Sequence, residues 1–155
     1  MPHPLIGVHA IFGELGIFAF VWAFVELFDP TTQRLKRAKT ASLVGTVFFM
    51  LSWIIGGYYY VSFYGPIIKP LILEGPQPWA HTVVMEAKEH IFLFLPFLAI
   101  SDYFLIRSLN VNDHKRRKSV LVLTALIIAI GLLMALMGYI ISTGFRSALE
   151  VMHVS

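Results

Sequence analysis

The chain contains no cysteine. Disulfides, thiolate metal centres, iron–sulfur clusters, thioether-linked haem and cysteine nucleophiles are therefore all excluded. Charge is also scarce: Asp, Glu, Lys and Arg make up 14% of the 155 residues against 57% hydrophobic ones, a balance foreign to water-soluble domains. There is no glycine-rich phosphate loop, no zincin motif and no nucleophile–base–orienter set, so hydrolase and nucleotide-dependent chemistry find no support. Internal repeats and low-complexity tracts are missing too. Met1, Pro2, His3 and Pro4 form no basic leader ahead of the first apolar run, which therefore reads as a retained helix and not a signal peptide.

What remains is a chain of mean hydropathy +0.76 with four long apolar runs, at residues 5–28, 41–63, 83–106 and 120–145. Each is close to the roughly 20 residues that cross a bilayer. The expected architecture is all-α: one transmembrane domain, residues 1–155, forming an integral four-helix up-down bundle. Nine of the twelve Lys and Arg residues fall in two places, Arg34 to Lys39 after the first helix and Arg107 to Lys118 between the third and fourth. An even helix count puts both on one side. The positive-inside rule makes that side cytoplasmic and both termini extracytoplasmic, in a multi-pass protein of the cell membrane. The basic runs are thereby topology signals, and no nucleic-acid partner is expected.

Asp29-Pro30-Thr31-Thr32 closes the first helix with a turn, and the basic segment leads directly into the second. Tyr58, Tyr59, Tyr60 and Tyr64 belong at the outer headgroup level. Residues 65–79 carry Pro66, Pro70, Pro76 and Pro78 between apolar residues, which predicts an interfacial segment, a lid or a docking surface on the outer face. Pro96 interrupts the backbone bonding of the third helix. Gly131, Met134 and Gly138 share a stripe of the fourth, giving close helix contact or clearance for a flat ligand.

Ionisable groups at membrane depth cost about 2.5–3.5 kcal/mol each on insertion scales, so a cluster of them marks a functional site. His9 lies 19 residues before Phe28, and the position 19 before Ile106 is Ala87, so His9 is level with Glu86 to His90. In an up-down bundle the first and third helices are parallel and diagonal, and both face the shared interior. Glu86 and His90, at i and i+4, share a face with Glu89 at its edge, while His81 and Lys88 point away. His9, Gly13 and Gly16 form a stripe on the first helix, from which Glu14 diverges. His3, His114 and His153 fall in loops or termini, and Asp102 is expected to pair with Arg107.

Several readings of the cluster compete. In one, His9 and His90 are the axial ligands of a b-type haem, Gly13 and Gly16 clear space for the porphyrin, and Glu14 and Glu86 take protons from a quinol. In a second, His9, His90, Glu86 and Glu14 bind non-haem iron, zinc, manganese or copper. A third makes the cluster a proton or ion relay, or part of an assembly subunit. A purely structural alternative leaves Glu86, Lys88 and Glu89 paired among headgroups.

The opening His3-Pro4-Leu5-x-x-x-His9 ahead of a glycine-containing apolar helix, with histidines opening the third helix, resembles small four-helix membrane proteins of uncharacterised families. More broadly it resembles the four-helix b-type membrane cytochromes, with His9 and His90 carrying the likeness. Neither the second nor the fourth apolar run contains histidine. The resemblance thus implies one haem near the outer face of a redox subunit, with electrons passing between quinol or an extracytoplasmic donor and a partner. The expected partners are the lipid bilayer, a quinone, and other membrane subunits or further copies of the chain.

Overall fold

The computed structural model describes residues 4–154, and all their regular structure is helical. His3 lies outside the described residues. Four helices are long and apolar enough to cross a membrane. α1 is Pro4–Phe28 and α2 is Thr32–Tyr59, continued by a π-helix at Tyr60–Ile68 and by α3, Lys69–Glu74. A second π-helix, Ala80–Met85, leads into α4, Glu86–Ser108, and α5 is His114–Val154.

The helices outrun the apolar runs that announced them. Helix α2 starts at Thr32, where the Thr31 hydroxyl caps it by accepting from the Arg34 N–H at 3.2 Å. Arg34, Lys36, Arg37 and Lys39 consequently occupy its first turns and are not a connecting loop. Glu26 explains why: its buried carboxylate receives Arg37 Nε at 2.7 Å, Arg34 Nε at 3.0 Å and Trp22 Nε1 at 3.2 Å. That clamp ties the end of α1 to the start of α2. At the far end the helical path continues to Glu74 through two prolines. Pro66 sits in the π-helix, whose wider turn shifts the carbonyl ladder. Pro70 stands in the first turn of α3, directly after the π-helix.

α1 packs against α2 and α5, and α4 against α2 and α5, so α1 and α4 sit diagonally across the centre. Small residues let the backbones approach. Phe20 of α1 covers Gly45 of α2 while Phe49 of α2 covers Gly16 of α1, and the two rings stack at 5.4 Å. The basic segments lie at one end, where Leu27, Leu35, Ile106, Leu109 and Val120 form a core and Lys39 Nζ donates to the Leu109 carbonyl at 3.4 Å. At the opposite end α3 and the second π-helix pack on the last turns of α5, where Gly75 and Gly144 each abut an alanine across the contact. The proline-rich segment is therefore mostly helix, docked on an α5 that is 41 residues long. Outward, all four long helices present large apolar side chains such as Phe18, Val47, Phe94 and Val122, the surface expected against lipid.

Candidate functional site

The interior stripe of α4 is Lys88, Phe92, Leu95, Ala99, Asp102 and Ile106, at the 3- and 4-residue spacing of a packed helix. Glu86 and His90 lie on the exposed face away from this stripe. Lys88, expected to point away, is thus the inward residue. Asp102 is fully buried and holds the Thr124 hydroxyl at 3.1 and 3.2 Å, whereas Arg107 donates to the Tyr103 hydroxyl, so the expected Asp102–Arg107 pair does not form.

Two cavities open beside this stripe. The larger, about 660 Å³, lies between α2, its π-helical extension, α4 and the Gly138–Phe145 stretch of α5, with Ile6 and His9 of α1 also on its wall. Its walls include Trp53, Tyr60, Tyr64, Glu89 and His90. Tyr58, Val61 and Leu93 along its rim are exposed, so it opens sideways between the helices. The smaller, about 430 Å³, lies between α1, α4 and α5 and is bordered by His9, Gly13, Glu14, Lys88 and Arg146. His9 and Lys88 face both. Glu86 borders neither.

Each imidazole sets Nδ1 against a backbone carbonyl, His9 across to α2 and His90 within its own helix. His9 Nδ1 lies 2.9 Å from the Ser52 carbonyl, and His90 Nδ1 lies 2.6 Å from the Glu86 carbonyl. A carbonyl only accepts, so each Nδ1 carries the proton and each Nε2 of the neutral ring keeps its lone pair. The Ser52 hydroxyl donates to the His9 carbonyl at 3.0 Å and lies 3.0 Å from His9 Nδ1, closing a small ring of bonds between α1 and α2. Gly56 makes room for it: a Cβ there would stand 2.6 Å from His9 Nδ1. Phe92 of α4 meets the His9 ring edge-on, with centroids 5.7 Å apart. The Glu86–His90 relationship thus runs through the Glu86 backbone and not its carboxylate.

Other expected site residues are distributed differently. Gly13 and Gly16 receive Ser52 and Phe49 of α2, so their clearance serves helix packing. Gly131 likewise admits Ile17 of α1. Glu14 is exposed at the edge of the smaller cavity. Among the described residues no group of three or more His, Asp or Glu side chains is gathered for a metal ion, so the set His9, His90, Glu86 and Glu14 does not converge on one point. Glu89, placed at the edge of the helix face by spacing, instead borders the larger cavity beside Tyr60, whose hydroxyl interacts with its carboxylate. His81 is buried with Nδ1 3.0 Å from the Tyr64 hydroxyl and no partner for Nε2.

Sequence reasoning missed Ser52, Gly56, Phe92 and the inward turn of Lys88. Ser52 and Gly56 stand at i and i+4 on α2, a small-residue pair that spacing alone ties to any neighbouring helix. Comparison with protein-family models, curated proteins and solved structures gave no match.

Proposed function

We propose that the chain is a multi-pass redox subunit of the cell membrane, an up-down four-helix bundle with both termini extracytoplasmic, in which His9 and His90 hold one b-type haem near the outer face. The single observation that carries this reading is the matched pair of imidazoles. Both border one cavity, and both spend Nδ1–H on a backbone carbonyl, which leaves two Nε2 lone pairs for iron. The cavity volume lies in the range that encloses a ligand of cofactor size. A haem bound there supplies one-electron transfer.

The chain's own residues supply the rest. The Ser52 carbonyl and Gly56 fix the plane of His9, and the Glu86 carbonyl fixes that of His90. Glu89, with Tyr60 beside it, takes over the role first expected of Glu86: a carboxylate at the cavity wall able to accept a proton from a quinol hydroxyl. Glu14 is too far round α1 to join it there and borders only the smaller cavity. The aromatic walls and sideways opening suit a lipid-soluble quinol as electron donor, with a further membrane subunit as acceptor.

The test is the absorption spectrum of the chain purified from haem-replete cells. The expected result is a Soret band that shifts on dithionite reduction and disappears in both His9→Ala and His90→Ala. A colourless protein under those conditions, or a band that survives either substitution, overturns the reading.

A further inference from the structure

The smaller cavity has a polar mouth and an apolar base. Toward the proline-rich end it is bordered by Lys88 of α4 and by Tyr139, Ser142 and Arg146 of α5. Deeper in, its walls are Ile17, Leu95, Gly131, Met134 and other apolar residues. Lys88 lies on the interior stripe, and its ammonium rests over Gly138, where an added Cβ would stand 3.2 Å from Nζ. Among the described residues neither Lys88 nor Arg146 makes a hydrogen bond or an ion pair. Glu14 is the one acid on the cavity wall, so the two cations leave one positive charge uncompensated. By contrast, Arg34 and Arg37 at the other end of the molecule are committed to Glu26.

An unpaired ammonium among packed transmembrane helices calls for an anion, and an apolar tunnel beneath it calls for a chain. We infer that this cavity binds the anionic headgroup of a single-chain amphiphile, with Lys88 and Arg146 on the headgroup and the acyl chain running down between α1, α4 and α5. A carboxylate is the favoured headgroup because the mouth offers two cations and two hydroxyls within a cavity of about 430 Å³, which leaves little space for a bulky glycerophosphate. The inference does not depend on haem: His90 borders only the larger cavity, so His90→Ala removes the proposed iron ligand without touching this site.

The test measures retention of radiolabelled oleate by the full chain after gel filtration in a neutral detergent, for the wild type and for His90→Ala. The expected result is saturable retention in both, weakened by at least about tenfold in Lys88→Met and preserved in Lys88→Arg. Methyl oleate, which lacks the charge, is not retained. Dioleoylphosphatidylglycerol in place of oleate distinguishes the source: retention of it alone, still sensitive to Lys88→Met, keeps the anion site and assigns the headgroup as a lipid phosphate. Equal retention of methyl oleate, wild-type binding by a folded Lys88→Met, or retention of neither anion overturns the inference. Circular dichroism on each variant shows whether it is folded, and Arg146→Gln supplies a second charge removal at the rim.

Discussion

Thr124 places its single hydroxyl against both carboxylate oxygens of Asp102, at 3.1 and 3.2 Å, within the packed seam of α4 and α5. Both residues are fully buried, and the same hydroxyl lies 2.9 Å from the Val120 carbonyl. Thr124→Val strips the carboxyl of the Thr124 hydroxyl and is expected to cost about 1–3 kcal/mol. Combining it with Asp102→Leu removes both polar partners and restores most of that loss. Unfolding free energies of the four proteins in a double-mutant cycle measure the difference.

Glu26 is a hub for Trp22, Arg34 and Arg37. Glu26→Gln retains the shape but abandons two guanidinium groups, so its thermal midpoint should fall below that of the wild type. Replacing Glu26, Arg34 and Arg37 together by uncharged residues should do less harm than Glu26→Gln alone, because no charge is then left without its counterpart. Differential scanning calorimetry in one detergent compares them.

Gly56 and Gly57 are neighbours with opposite expectations. A methyl at 56 would stand 2.6 Å from His9 Nδ1, so Gly56→Ala should cost about 1–3 kcal/mol and displace the imidazole from Ser52. At 57 nothing lies within 4 Å of an added Cβ. Gly57→Ala is expected to be neutral, or stabilising by up to about 1 kcal/mol through helix propensity. Thermal midpoints of the two variants decide the matter.

The glycines of α1 separate in the same way. Gly16→Ala drives a methyl to 2.5 Å from the Phe49 ring and should destabilise the α1–α2 pair by about 1–3 kcal/mol. Gly13→Ala meets only the Ser52 hydroxyl, at 3.4 Å, and should be tolerated. If Gly13 and Gly16 instead lined a cofactor cleft, both would disturb ligand binding alike, which titration with haemin tests.

The four long helices were legible because the length and apolar composition needed to cross a bilayer show over some twenty residues at a time. Counting along two rods of fixed rise also brought His9 to the depth of His90, and both border one cavity. Facing was harder to read. A helix with neighbours on two sides buries a broad arc, and α4 turns Lys88 and Phe92 inward while Glu86 and His90 stay exposed. Nor did composition announce that the helical path continues past Tyr60: Pro66 speaks against a regular α-helix, and in the structure it lies within a π-helix. Ser52 and Gly56 went unnoticed because their meaning comes from His9 on another helix, a relationship that no local window contains.

The larger cavity is bordered by the exposed side chains of Tyr58 and Val61 on one side and Leu93 on the other, so with the helices spanning a bilayer it would exchange with the hydrocarbon phase rather than with water. Occupancy then follows the mole fraction of ligand in the membrane. An apparent dissociation constant expressed per litre of suspension should rise in proportion to the amount of lipid or detergent added, while the constant expressed per mole of lipid stays fixed. A weakly soluble molecule that partitions strongly gains from this geometry, and a tightly complementary but water-loving one does not.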